Sequence, residues 1–302
     1  MSRDADSIES LTERSKRALH RAGTTVNQFG GGDPPGLEQE AFFHGENPRD
    51  LLIKNLVVAA KLEFATIPPY LCALWSIDDE LHPAAESIRE VVQEEMLHLA
   101  LVSNLLVALE APIQFRDWVP KYPAPLPGEV HAGLELQLQG FGDDALRQFM
   151  QIESPAVLPE NVDRESGDPY WPEGHKIGEF YEVILALFRD LRPPLSTKNQ
   201  VTGALSWRSI ATLADVEWAI RTIQHQGEGA VAGPLDSGKS DLAHYYRFLE
   251  LWKGKKLQFD KTDRHFYWRG KLNKPAHRKM APVPNGGYTN VTNPIVALHL
   301  QK

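Results

Sequence analysis

The sequence predicts an all-α protein: a four-helix bundle with long crossover loops and extra helices. Along several stretches, apolar residues recur at spacings of three and four, as on the buried face of a helix. The alternation typical of half-buried strands is missing from the sequence. Two stretches also carry acidic residues and a histidine on the apolar face itself, where helical bundles build metal sites. The long helices are expected near residues 50–78, 83–109, 175–191, 212–227 and 241–252, with a short one at 143–152.

The first helix carries a glutamate in the middle of its apolar stripe. An unpaired carboxylate there would cost several kcal/mol or be forced neutral, so Glu63 needs a partner. Pro68-Pro69 follow within two turns, and they either kink the helix or end it at Ile67. A kink would place a substrate cavity beside residues 67–71 and a Pro-rich loop. The stripe consists of Leu52, Leu56, Ala59, Glu63, Thr66, Tyr70, Ala73 and Ile77.

The second helix repeats the pattern with two polar residues one turn apart. Pro83 suits its first turn, and the short link before it makes the two helices antiparallel neighbours. Glu95 and His98 share a face because residues three apart on a helix are neighbours. Glu94 points off this stripe and is interpreted as a surface residue. The stripe consists of Ile88, Val91, Glu95, His98, Val102, Leu105 and Leu109.

Together, the two helices supply half of the ligands of a carboxylate-bridged dinuclear metal site. In such bundles, one pair of helices contributes single glutamates, as Glu63 would, and the other pair contributes Glu-x-x-His, as Glu95 and His98 would. The alternative is a structural one, in which Glu63 forms a buried salt bridge with a lysine or arginine. Later helices are less clear, since Glu179 lies off the main apolar stripe of its helix.

Composition and charge narrow the class of protein. The chain has 302 residues and a net charge of −8, which argues against nucleic acid or an anionic membrane as partner. No apolar run is expected to span a membrane, the N-terminus lacks a signal peptide, and the single Cys72 excludes an internal disulfide. We therefore expect a soluble, cytoplasmic protein. Residues 1–45 would form an N-terminal arm, 46–255 the metal-binding domain, and 256–302 an irregular tail packed on the bundle.

Six short motifs stand out along the chain: Leu62–Leu71, Glu94–Leu99, Ile152–Pro155, Gly178–Tyr181, Gln226–Gly229 and His244–Phe248. In this order they resemble the ferritin-like domain of the iminophenyl-pyruvate dimer synthase family, whose members act in violacein, rebeccamycin and staurosporine biosynthesis. The resemblance covers roughly residues 48–255 and implies a ferritin-like bundle with a metal site. The large dimer synthases are much longer chains, so their substrate is not carried over.

Carried over motif by motif, the resemblance implies a set of metal ligands. A second Glu-x-x-His is missing, which leaves open whether the site holds one metal or two. Tyr70 and Tyr181 are candidates for contacting and orienting the ligands without binding the metal themselves. The implied ligands are Glu63, Glu95, His98, Glu179, Glu228, His244 and Glu153.

A carboxylate-rich site suits iron or manganese, since hard oxygen ligands disfavour soft metals. The leading hypothesis is a metal-dependent oxidase or oxygenase in natural-product biosynthesis. It would use O₂ or peroxide on a small organic substrate such as an amino-acid-derived imine. One alternative is a non-catalytic iron-storage protein, against which the long crossover loops count. Another is a metal-free scaffold whose glutamates bind arginines. The sequence leaves open whether the protein forms a homo-oligomer.

Overall fold

The computed structural model describes residues 47–131, 133–155, 157–171, 176–203, 208–227, 234–235, 241–281 and 283. Over these ranges the protein is mainly helical, which confirms the all-α prediction. Each helix predicted from the sequence lies within three residues of its expected bounds. The N-terminal arm lies outside the described residues. The helices are α1 (Pro48–Ser76), α2 (Pro83–Ala108), α3 (Phe115–Trp118), α4 (Asp143–Ile152), α5 (Ile177–Leu191), α6 (Leu213–Gly227) and α7 (His244–Lys253).

Helix α1 runs without interruption through its proline pair, so the alternative that it ends at Ile67 is wrong. The Asn47 side chain accepts a hydrogen bond from Arg49 N at 3.0 Å and caps the helix start. Pro69 has no N–H, so the carbonyl of Ala65 loses its partner within the helix. The Tyr122 hydroxyl donates to that carbonyl at 2.7 Å, which satisfies the group that the proline leaves open.

Helices α1 and α2 pack against each other, and their apolar residues divide into two clusters. One cluster joins the second half of α1 and the first half of α2 to α4 and α7. The other joins the opposite halves to α5 and α6, so the two helices run antiparallel, as predicted. Between the clusters lie Glu63, Glu95 and His98, which form a polar layer across the middle of the bundle.

The Pro-rich crossover between α2 and α4 packs along α1. It contains α3, a two-residue ladder of β1 (Ala124–Pro125) with β2 (Glu135–Leu136), and a 3₁₀ turn at Pro127–Glu129. Gly128 in that turn has a φ of +72°, and a Cβ there would come within 2.7 Å of Val58 on α1. A glycine is therefore needed where this loop meets the helix.

The prediction of an irregular tail after residue 255 is wrong in part. Residues 256–269 form an antiparallel hairpin of β3 (Lys256–Asp260) and β4 (His265–Arg269). Asp260 accepts from Thr262 N at 3.0 Å and Asp263 accepts from His265 N at 3.1 Å, which builds the turn. Phe266 is buried in the first apolar cluster, so the hairpin packs on the bundle. Each strand has only five residues, and the three consecutive aromatic residues of β4, Phe266 to Trp268, interrupt the alternation that would mark a strand.

Helices α1 and α2 are both long and apolar enough to cross a membrane, contrary to the expectation from the sequence. In the fold, however, 56% and 67% of their most apolar windows are buried against the rest of the protein. Both also carry glutamates in their interior faces. These properties are those of the core helices of a bundle.

Candidate metal centre

Five buried side chains from four segments of the chain meet in the polar layer. They form two groups of possible metal ligands that share Glu95. We call Glu63, Glu95 and His98 the His98 group, and Glu95, Glu153 and His244 the His244 group. Within each group the ligand atoms lie within 4.8 Å of one another, and no member is more than 3% exposed. A carboxylate shared between two groups is the arrangement of a bridged dinuclear site.

Imidazole nitrogens lie next to carboxylate oxygens in both groups. His98 Nδ1 is 3.4 Å from Glu63 Oε2 and 3.5 Å from Glu95 Oε1. His244 Nδ1 is 2.9 Å from Glu95 Oε1 and 3.6 Å from Glu153 Oε2. The two rings are nearly parallel, with centroids 5.6 Å apart. Both histidines therefore turn the same nitrogen towards the shared carboxylate.

Each carboxylate is held by a buried hydroxyl group. The Tyr181 hydroxyl donates to Glu63, and Thr66 Oγ1 lies 2.5 Å from Glu95 Oε2. The Tyr70 hydroxyl donates to the third carboxylate, Glu153. Tyr70 and Tyr181, which were expected to support the ligands, thus each contact one of the candidate carboxylates. Such hydrogen bonds fix the direction in which a carboxylate presents its other oxygen.

The two imidazoles are each held at the nitrogen that faces away from the cluster. His98 Nε2 donates to Gln226 Oε1 at 2.9 Å, and His244 Nε2 donates to Glu94 Oε2 at 3.0 Å. With Nε2 used as a donor, Nδ1 is the nitrogen left for a metal. The interpretation of Glu94 as a surface residue is wrong, because its side chain is only 14% exposed and Arg247 Nη1 lies 3.1 Å from it.

The structure places the other predicted ligands in different surroundings. Glu153 and His244 lie in the cluster, in the group that shares Glu95. Glu179 joins neither group; its Oε2 accepts from Lys176 N at 3.2 Å at the start of α5. Glu228 lies outside the described residues. Within the described part of the chain Glu63 has no lysine or arginine partner, contrary to the salt-bridge alternative.

Buried charge shifts the pKa values of the cluster in opposite directions. Burial favours neutral His98, but hydrogen bonds and charges from Glu63 and Glu95 outweigh it and raise the pKa to about 10. Burial also lowers the pKa of His244, but Glu153, Glu94 and Glu95 outweigh burial and raise this pKa well above its ordinary value. Burial raises the pKa of Glu63, whereas the histidines overcome burial and lower the pKa of Glu95. Without a metal, the carboxylates thus keep protons on the imidazoles.

The donor set fits a divalent metal. Carboxylates buried together need a cation or a proton between them, and the protonated imidazoles fill that role when no metal is bound. His244 Nδ1 is buried and has no hydrogen-bond partner among the described residues, although Glu95 lies within ion-pair distance. Three carboxylates and two imidazoles suit iron or manganese better than soft metals. In the metal-bound form both rings would be neutral, so binding would release protons.

These shifts predict how the stability of the metal-free protein depends on pH. The folded-state pKa of His98 lies above its ordinary value of 6.5, so its contribution is complete below 6.5 and is lost as pH rises through about 10. We expect the free energy of unfolding to fall across this window. Urea denaturation of chelator-treated protein between pH 6 and pH 10 measures it. In His98→Gln the fall should be smaller; an equal fall would contradict the assignment.

An open groove lies on the far side of α1 from the cluster. It has a volume of about 150 Å³ and is bordered by Lys61 and Ala65 of α1 and by the crossover loop from Asp117 to Pro127. The sequence predicted a substrate cavity that borders both residues 67–71 and a Pro-rich loop, and this groove meets only the second condition. The α1 residues beside that cavity are one turn earlier than predicted, since residues 67–71 do not line it.

Comparison with known proteins agrees with this geometry. A family model described as Ferritin-like matches residues 56–253, about two-thirds of the chain and all four segments that bear ligands. The chain belongs to the Ferritin-like family. The fold class predicted from the sequence is therefore confirmed. This Ferritin-like protein is also similar in structure to a ferritin-like protein from Caulobacter vibrioides, with a TM-score of 0.52, 22% identity, and coverage of 69% of this chain and 73% of that one.

A curated relative has a named activity. The Ferritin-like chain is 26% identical over 180 residues to the 2-imino-3-(indol-3-yl)propanoate dimerase of Chromobacterium violaceum. The match confirms the resemblance to the dimer synthase family. It covers 55% of this chain but 16% of the dimerase, so most of that enzyme has no counterpart in the match.

Proposed function

We propose that this Ferritin-like protein is a metal-dependent oxidoreductase that uses iron or manganese, with O₂ or peroxide, to oxidise a small organic substrate. One observation carries the proposal: two groups of ligands share Glu95. Each group offers two carboxylates and one imidazole, so an ion in either would keep positions that no described side chain fills. Sites that leave positions open are typical of catalysis, and closed sites are typical of structural metals.

The chain's own residues would hold the metals and shelter the reaction. Glu63, Glu95 and His98 would bind one ion, while Glu95, Glu153 and His244 would bind the other. A redox-active metal pair held by these residues would relay electrons from the substrate to the oxidant. In a two-electron oxidation the substrate loses two electrons and two protons, and O₂ becomes hydrogen peroxide. Burial of all five ligands excludes bulk water from the centre, which strengthens electrostatic interactions there.

The hydroxyl groups around the centre would set its geometry. Tyr181 and Tyr70 hold the outer carboxylates, Glu63 and Glu153, and Thr66 holds the shared Glu95. Burial and the nearby carboxylates raise the pKa of both tyrosines well above the ordinary value, so they stay protonated and keep donating. Ligands fixed before the metal arrives lower the cost of organising the site.

The substrate class we would test first is the imine of an aromatic amino acid, because the dimerase from Chromobacterium violaceum acts on 2-imino-3-(indol-3-yl)propanoate. The protein is loaded anaerobically with Fe²⁺, and O₂ consumption is then followed with and without the imine. We expect imine-dependent consumption that exceeds the amount of bound iron. Glu95→Ala, treated in the same way, should show none of it.

Other outcomes would contradict the proposal. Iron uptake far above two ions per chain, independent of any organic substrate, would favour storage instead. Failure of the chelator-treated protein to retain Fe²⁺ or Mn²⁺ after anaerobic reloading would favour a metal-free scaffold. Each result is read by elemental analysis after removal of unbound metal.

A further inference from the structure

The His98 group and the His244 group match each other in their carboxylates. Each has one carboxylate of its own that accepts from a buried tyrosine: Glu63 from Tyr181, and Glu153 from Tyr70. Both groups use Glu95, and both present the Nδ1 atom of a histidine to it. The carboxylates therefore give little reason for one group to bind a metal more tightly than the other.

The groups differ in what holds the histidine. His98 Nε2 donates to the neutral amide oxygen of Gln226, whereas His244 Nε2 donates to the carboxylate of Glu94. A hydrogen bond to an anion is about twice as strong as one between neutral groups. A carboxylate acceptor also makes the imidazole a better donor through its other nitrogen.

Arg247 keeps Glu94 in place and balances its charge. Its Nη1 lies 3.1 Å from Glu94 Oε2, and its Nη2 donates to Glu94 Oε1 at 3.3 Å. The Arg247 side chain is itself mostly buried and also lies 3.7 Å from Glu90. Because this pair is neutral as a whole, the difference between the groups acts through the hydrogen bond to His244. Glu94 and Gln226 are thus positioning residues, one for each group.

We propose that the two groups bind metal with unequal affinity and that the His244 group fills first. The inference rests on the proposed function, since it requires that both groups bind metal. The position of the shared carboxylate points the same way: Glu95 Oε1 is 2.9 Å from His244 Nδ1 but 3.5 Å from His98 Nδ1. The shared carboxylate is therefore closer to the histidine of the His244 group, whereas the second carboxylate of each group lies at a similar distance, 3.6 Å from His244 Nδ1 and 3.4 Å from His98 Nδ1.

The test is a titration of the full chain, stripped of metal by a chelator, with Mn²⁺ alone. Electron paramagnetic resonance counts the free Mn²⁺ and calorimetry measures each binding step. We expect two steps that differ at least about tenfold in dissociation constant, the scale on which hydrogen bonds behind a ligand act. His244→Ala should remove the tighter step and His98→Ala the weaker one.

Exchanging the two positioning residues tests the cause. Glu94→Gln should weaken the tighter step by about 10–100-fold and leave the weaker step nearly unchanged. Gln226→Glu should strengthen the weaker step, and it is informative even if Glu94→Gln folds poorly. The matched control is Glu86→Gln, which removes an exposed carboxylate from the same helix and should change neither step.

Each outcome decides between the inference and the proposed function. Two steps of equal affinity, or a Glu94→Gln effect confined to the weaker step, would overturn the inference and leave metal binding intact. A single bound ion lost in His244→Ala supports the order of filling, and one lost in His98→Ala overturns it. If no Mn²⁺ binds at all, both the inference and the proposed function are wrong.

Discussion

Glu95→Ala is expected to abolish stoichiometric metal binding and, with it, any oxidation. Glu95 is the one carboxylate that belongs to both groups, so its loss leaves each with a single carboxylate and a single imidazole. The two protonated histidines, 5.6 Å apart, would also lose the anion between them. Elemental analysis after anaerobic reloading with Fe²⁺ or Mn²⁺ measures the effect, and retention of metal equal to the wild type would refute the site.

The choice of control for this variant follows from the structure. Glu94 is adjacent to Glu95 in the sequence, but its hydrogen bond with His244 makes it unsuitable as a control. Glu86 lies on the same helix, is exposed, and is far along α2 from the ligands. Glu86→Gln should retain full metal binding. Glu95→Gln keeps the side-chain volume and separates loss of a ligand charge from loss of packing.

Sequence periodicity was enough to find Glu63, Glu95 and His98. Their signal is local, since a polar residue on an otherwise aliphatic stripe stands out within a few turns of one helix. The same reasoning placed α1 and α2 side by side, because the link between them is short. The core of the site could therefore be derived without knowing how the remaining helices pack.

The second half of the site could not be derived in this way. Glu153 follows the end of α4 and His244 begins α7, so neither lies in the middle of a helix. Periodicity placed His244 on the side of its helix that carries Phe248 and Leu251, but only the resemblance of the motifs assigned the two residues as ligands. Glu179 was proposed on the same ground, but it caps the start of α5, where acidic residues are favoured for a local reason.

The residues that hold the ligands depend on contacts between distant parts of the chain. Gln226 is 128 residues from His98, and Glu94 is 150 residues from His244. No helical spacing encodes such pairs. One partial signal was available: Arg247 lies one turn after His244 on the same helix, where a cation could pair with a carboxylate near the site.

Phe149→Ala is expected to cost about 3–5 kcal/mol of stability, the range for removing a fully buried phenylalanine. Phe149 lies on α4, fully buried, with its ring centroid 4.6 Å from that of Tyr70 and 5.1 Å from that of Phe248 on α7. These three rings join α1, α4 and α7 beneath the His244 group. Urea denaturation of the metal-free protein measures the loss. Phe259→Ala, on a side chain 43% exposed, should cost about 1 kcal/mol or less.

The same variant should also damage the His244 group more than the His98 group. Tyr70 packs edge-on against Phe149 and donates to Glu153, so a cavity at Phe149 frees the tyrosine to move and loosens that carboxylate. Glu63 is held by Tyr181 on α5, within the other apolar cluster, and should keep its position. In the Mn²⁺ titration of Phe149→Ala at a temperature where it remains folded, the tighter step should weaken while the weaker step stays. Equal weakening of both steps would show that the two groups are not supported separately by the two halves of the bundle.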